Sequence, residues 1–163
     1  HLDKFIEVIT SDNRPYGLHR ARDEKFFKGE KIVSLRKCAT PTFTYIETDS
    51  YVMAEFYIIK TDKINMKFLT GLLNSNLTKY WLKNMGKMQG SNYQVDKEPL
   101  VNIPIAIPKN EDLDKYINLV DNIIKKANRK ENLNILENEL DELIYDLYEL
   151  TEEEKEVVRN FGK

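Results

Sequence analysis

Cysteine is almost missing from this 163-residue chain. Cys38 stands alone, so neither an intrachain disulfide nor a thiolate metal cluster can form. That usage suits a reducing compartment, and a cytoplasmic location is expected. Cys38 reads as a small residue at a strand end rather than as a nucleophile. Histidine is nearly as scarce. His1 and His19 are too few and too isolated for a metal site or a Ser-His-Asp constellation. No apolar run approaches the roughly 20 residues that a bilayer requires, so a membrane-spanning segment is excluded. No signal-peptide pattern opens the chain. It begins "HLDKF" without a methionine and is read as a fragment cut from a longer polypeptide at a domain boundary. A glycine-rich phosphate loop is lacking too, with no G-x-G-x-x-G after a strand. Carboxylates are plentiful but crowd the last third, where a solvated helix face explains them. "DEK" (23–25) and "EDLDK" (111–115) resemble pieces of an acidic nuclease core without the strands that such a core needs. No catalytic or metal-binding residue is assigned, and the fragment is not expected to be a catalyst.

What is present is unevenly placed. Residues 1–109 carry 17 Lys and Arg against 12 Asp and Glu, a net charge of +5; residues 110–163 carry 8 against 15, a net of −7. Only the first part would welcome a polyanion.

The hydrophobic pattern divides the chain at the same place. "LDKFIEVIT" has the spacing of a short helix. "KIVSLRK" (31–37), "TFTYIET" (42–48) and "YVMAEFYIIK" (51–60) are rich in Val, Ile, Tyr, Phe and Thr and read as strands of an antiparallel, hairpin-like sheet. From Asn65 the period becomes helical, with Phe68, Leu69, Leu72, Leu73, Leu77, Trp81 and Leu82 on one face and a break at "NSN" (74–76). A polar loop, "GKMQGSNYQVDKEPL" (86–100), separates this from "LVNIPIAIP" (100–108), which reads as an edge strand with prolines at its margins. Beyond Pro108, Leu113–Ala127 and Leu133–Leu147 form two apolar three-four repeats around the polar break "NRKEN". Thr151–Glu154 is a capping box that starts a last short helix. Neither proline nor glycine occurs between Lys109 and Gly162. The expected fold is α+β: a small, mostly antiparallel twisted sheet with packed helices over residues 1–109, then a helical hairpin or coiled-coil-like region over 110–163.

Two stretches have the chemistry of a binding surface. Arg14–Lys37 holds Arg14, Arg20, Arg22, Lys25, Lys28, Lys31, Arg36 and Lys37 against three acids, interleaved with Tyr16, His19, Phe26 and Phe27. Forked guanidinium donors suit phosphates and the guanine edge. A solvated loop around the turn Pro15–Gly17 accounts for the same composition. The loop after Trp81 offers Gln89, Ser91, Asn92 and Gln94, and an amide presents the donor and acceptor that adenine's major-groove edge requires. Lys83, Lys87 and Lys97 would contact phosphates and fix register without reading sequence. Gly86 and Gly90 would permit positive φ or close backbone approach. Tyr93 and Val95 are expected to turn inward. The competing account is a polar loop covering a sheet edge, its amides bonding the protein's own backbone.

The order of these features resembles a known family. A helix with "LLNS" (72–75), the polar loop 86–94, Leu100 and "IPI" (103–105) leading past Pro108 to a long helix resemble the target recognition domains of type I specificity subunits. More closely, "PYGLHRARDEKFFKGEKIVSLRKCATPTFTY" and "GKMQGSNYQVDKEPLVNIPI" are similar to the TaqI-like C-terminal specificity domain, which follows the adenine methyltransferase domain in type IIG and related restriction–modification enzymes. "YDLYELTEEEKEVV" (145–158) is similar to the tail of the same proteins. The resemblance implies recognition of a short double-stranded DNA sequence and a methyltransferase domain in cis. In the parent polypeptide it implies S-adenosylmethionine, with Mg2+ where a nuclease is also present. The N-P-P-Y motif and the glycine-rich cofactor motif are absent, so the cofactor and catalytic sites are expected outside these residues. A docking module is the alternative: its helices would bind a methyltransferase, a nuclease or a second copy. An RNA-binding domain has less support, because Tyr45, Tyr51 and Tyr57 read as ordinary sheet residues.

Overall fold

The computed structural model describes residues 1–9, 23–95 and 97–161. A 3-10 turn, Leu2–Phe5, runs into the one-turn helix α1 (Ile6–Ile9). The β-prone stretch that follows is broken at Arg36 into β1 (Lys31–Leu35) and β2 (Lys37–Cys38), and the two halves serve different sheets. β1 is the centre of an antiparallel sheet with β3 (Phe43–Ile46) on one side and β4 (Phe56–Ile59) on the other. Its register sets Ile32 between Tyr45 and Ile59, so alternate positions turn a row of apolar side chains to the core. β2 joins a second antiparallel sheet with β6 (Asn92–Gln94) and β5 (Lys87–Gln89), in the order β2-β6-β5.

Two sequence expectations need correction here. The strand expected over Tyr51–Lys60 begins only at Phe56. The ladder with β1 closes at the Leu35–Phe56 pair; Arg36 N–H still donates to Glu55 O, but Phe56 N–H turns back to Met53 O, and Tyr51 stacks on Phe27 at 5.0 Å and donates its hydroxyl to Glu24. The strand expected at Leu100–Pro108 does not form. Leu100 ends up in the short helix α4 (Lys97–Val101), and the segment with Pro104 and Pro108 beyond it joins no ladder. Prolines 104 and 108 have no N–H to offer a neighbour. Tyr148 replaces the missing strand: its hydroxyl donates to Pro104 O and accepts from Ala106 N.

The helical half follows the pattern closely. Asn65 caps α2 (Met66–Asn74), accepting from the N–H groups of Lys67 and Phe68. Ser75 ends that helix and caps α3 (Asn76–Met85), so the expected break falls there. Asn74 acts as a short piece of strand on the edge of β3: its amide accepts from Phe43 N (3.0 Å) and donates to Phe43 O (2.7 Å). The polar break at 129–132 separates α5 (Asn110–Asn128) from α6 (Asn134–Leu147), and α7 (Glu152–Arg159) opens with the capping box of Thr151 and Glu154.

The helix α2 is apolar almost all round because it lies between two cores. Met66, Leu69 and Leu73 pack with Ile32, Phe43 and Leu82 beside the sheets. Phe68 and Leu72 pack with Tyr116, Val120, Leu140 and Ile144 of α5 and α6. Gly71 allows that second approach: a Cβ there would lie 2.6 Å from Val120 Cγ2 and 3.3 Å from Leu140 Cδ2. Alanine favours a helix over glycine by roughly 0.5–1 kcal/mol, whereas overpacking a close-packed core costs roughly 1–3 kcal/mol. We expect Gly71→Ala to lower the melting temperature in calorimetry despite its better helix propensity; a higher melting temperature would show that α5 yields freely.

Candidate nucleic-acid interface

The polar stretch after α3 is a β-hairpin rather than an irregular loop. Lys87 pairs with Gln94, Met88 with Tyr93 and Gln89 with Asn92, leaving Gly90 and Ser91 as a two-residue turn. Gly90 has φ +63° and Ser91 has no positive φ, the pattern of a type II′ turn with glycine first. β2 adds Lys37 beside Gln94 and Cys38 beside Tyr93.

Alternation then sorts the side chains into two faces. Cys38 and Tyr93 pack against the first core, and Met88 lies on their side of the sheet. Burial pushes up the pKa of both the Cys38 thiol and the Tyr93 phenol, so neither is primed to ionise. Val95 is fully buried just beyond, with its N–H donated to Arg36 O. The opposite face carries Lys37, Lys87, Gln89, Asn92 and Gln94. All are exposed except Gln94, which is half-buried and has an interaction of its own. Lys37, Gln94 and Lys87 stand in one row, so the two lysines are about 10 Å apart across two strand spacings.

Among the described residues some cations are paired and others are not, Lys63, Lys125 and Lys126 being unpaired away from this sheet. Lys67 is neutralised by Asp121 (2.8 Å), Lys155 by Asp146 (2.8 Å) and Arg159 by Glu142 (2.7 Å). Among the described residues, Arg36, Lys37, Lys83, Lys87 and Lys97 have no acidic partner. A cation left without a carboxylate keeps its full attraction for an external anion.

The other expected site residues are dispersed. Arg36, at the junction of the two sheets, stacks over Tyr57 with its Cζ 5.2 Å from the ring centroid, and its N–H donates to Glu55 O. Tyr57 was not anticipated, since the contact crosses strands and leaves no sequence signal. Lys83, in the last turn of α3, lies 4.8 Å over the ring of Phe161, and Lys97 is exposed at the start of α4. Arg14, Tyr16, His19, Arg20 and Arg22 lie outside the described residues. The alternation K-M-Q, N-Y-Q around "GS" was the available signal for the hairpin, and a reading by composition alone passes over it.

The described glycines do not suit a methyl-donor cofactor. Gly29 and Gly90 occupy open turns, Gly71 packs inside α2 and Gly86 ends α3; none forms a strand-to-helix cradle. Among the described residues no three His, Cys, Asp or Glu side chains are grouped to hold a metal ion, and no helix is long and apolar enough to cross a membrane.

Comparison with curated proteins gives no match. The family model of the TaqI-like C-terminal specificity domain matches residues 3–105, a span that contains both sheets, the hairpin and helices α1 to α4. The α5–α6 hairpin follows that span. The chain belongs to the TaqI-like C-terminal specificity domain family.

Proposed function

We propose that this chain recognises a short double-stranded DNA sequence as the specificity domain of a restriction–modification enzyme that methylates adenine at N6. The observation that carries the reading is the two-faced small sheet, with lysines and amides outward and Cys38, Met88 and Tyr93 on the other side. Lys37, Lys87 and Arg36, with Lys83 and Lys97 at the margins, meet phosphates; Gln89, Ser91 and Asn92 lie nearest the bases, with Gln94 behind them between the two lysines. Arg14, Tyr16, His19, Arg20 and Arg22 are proposed as further DNA contacts on their side-chain chemistry alone. Residues 1–109 make up the recognising part and 110–163 its helical support. A methyltransferase domain in cis holds S-adenosylmethionine, and a nuclease, where the polypeptide carries one, uses Mg2+. The modified adenine leaves the base stack to react, so the specificity domain need only fix the register of the duplex.

Each phosphate neutralised by a lysine releases counterions, so affinity falls linearly on a log–log plot against salt. Fluorescence anisotropy of a labelled duplex across a salt series is expected to show this. Lys37→Ala and Lys87→Ala should each reduce the slope by about 1. Indifference to salt, or equal affinity for single strands and duplex, would overturn the reading. The docking alternative has less support. The apolar stripes that motivated it lie largely in the core shared with α2, with Ile135 an exposed exception.

A further inference from the structure

Gln89 and Asn92 face each other across the last rung of the hairpin, on either side of the Gly90–Ser91 turn. Both are exposed, and among the described residues neither amide forms a hydrogen bond. Folding therefore leaves two complete donor–acceptor pairs at the exposed tip of the hairpin. Lys37 and Lys87 stand on the same face in the next row back, about 7 Å away at two residues of strand rise. Gln94 lies between those lysines, half-buried and already engaged, so it belongs to the base of the ribbon.

Resting on the DNA-reading function above, we propose that the β5–β6 hairpin enters the major groove tip first, with Gln89 and Asn92 reading adenine edges and Lys37 and Lys87 on the flanking phosphates. The B-form major groove is about 12 Å wide and admits a two-stranded ribbon. Adenine displays the N7 acceptor beside the N6 donor there. A carboxamide matches both at once, whereas guanine's two adjacent acceptors leave the amide oxygen facing another acceptor. Opposed residues in a ladder lie about 5.5 Å apart, more than the 3.4 Å between successive bases. The two amides therefore address different base pairs, and the recognised sequence contains two nearby A·T pairs. Lysine is a point donor on a long stem, suited to a phosphate whose exact position varies. The type II′ turn needs positive φ at its first residue, and Gly90 supplies it without a side chain at the leading edge.

Selection of the full chain against duplexes with a randomised centre tests this. The wild-type chain is expected to enrich a motif with two A·T positions. Gln89→Ala and Asn92→Ala should each lose preference at one of them by roughly 5- to 150-fold, leaving the others intact. Lys37→Ala and Lys87→Ala should weaken all sequences alike. Replacing the dependent adenine by 7-deazaadenine removes N7 but not pairing. It should weaken the wild type and leave the matching amide variant unaffected, a readout that does not depend on how well the variant folds. If the wild type enriches a motif and both amide variants enrich it unchanged, DNA reading stands and the assignment of the tip is wrong. If the wild type enriches nothing and binds duplex no better than single strands, the functional reading itself falls and this inference with it.

Discussion

A chain truncated after residue 109 is expected to lose its cooperative thermal transition, although the residues of the β5–β6 hairpin are all retained. The reason lies in α2. Phe68 and Leu72 have exposures of only 2% and 1%, and the partners that cover them come from α5 and α6. Returning those two side chains to water forfeits roughly 3–6 kcal/mol, at 1.5–3 kcal/mol each. A whole domain is stable by only about 5–15 kcal/mol. Ile64 and Ile105, which also pack on that second core, lose partners as well. The cut removes three polar ties besides: Tyr148 with Pro104 and Ala106, Asp141 with the first residue of α3, and Lys67 with Asp121. Near-UV circular dichroism, which reports on Trp81 and the tyrosines, and scanning calorimetry check the result. A sharp transition within a few degrees of the full chain would show that the N-terminal part is an autonomous unit.

That dependence runs against the charge pattern, which divides at residue 109. Charge records what each surface meets; the core records what each helix covers. The three-four repeats of α5 and α6 were plain in the sequence because amphipathic helices leave a period of 3.6. Their partner was not, since α2 is apolar on two sides and a face that meets helices looks the same as one that meets strands. Ser75 was legible as a break because its side chain competes locally for backbone groups. The run "NIPIAIP" misled for the opposite reason. Its β-prone isoleucines are genuine and bury Ile103, but with proline's missing N–H groups its remaining polar needs are met by a tyrosine some forty residues on.

At the candidate site the residue types were legible and the geometry was not. Composition pointed to Gln89, Asn92, Gln94 and Lys87 as a polar group. Only the register shows that Lys37, fifty residues earlier, stands in the same row, and that Gln94 is less available than the tip amides. Long-range pairing follows from where β1 breaks at Arg36, and a single basic residue in a strand gives no notice of it. The arginine-rich stretch was the strongest compositional signal, and Arg14, Arg20 and Arg22 lie outside the described residues.

The asparagine variant of Asp141 should be more stable than the wild type at pH 7.5 and should lose that advantage in mild acid. Asp141 projects from α6 to the start of α3, where it accepts from Asn76 N (2.8 Å) and Asn76 Nδ2 (2.6 Å). A carboxylate at a helix N-terminus gains roughly 0.3–1 kcal/mol from the dipole. Burial opposes that gain and is larger: the carboxyl is pushed up to about 6, with the like charges of Glu137 and Glu142 adding to the rise and the Asn76 N–H and Lys79 opposing it. Tyr145, one turn on, is buried and adds no counter-charge. With the folded value raised above the unfolded value near 4, the folded state holds a proton that the unfolded chain releases. The resulting stability is complete below about pH 4 and is lost as pH rises through 6. The difference is on the order of 2–3 kcal/mol. Asparagine is neutral throughout. Its oxygen can keep the Asn76 N–H, and its amide can donate to Asn76 Oδ1 once that side chain turns over, at the expense of a weak 3.4 Å contact with Lys79. Melting curves of both proteins from pH 4 to 8 should therefore diverge above pH 6, with Asp141→Asn higher by about 2–4 °C for each kcal/mol recovered. A variant that melts lower at pH 7.5 would mean that the charged cap of α3 outweighs the burial of its carboxylate.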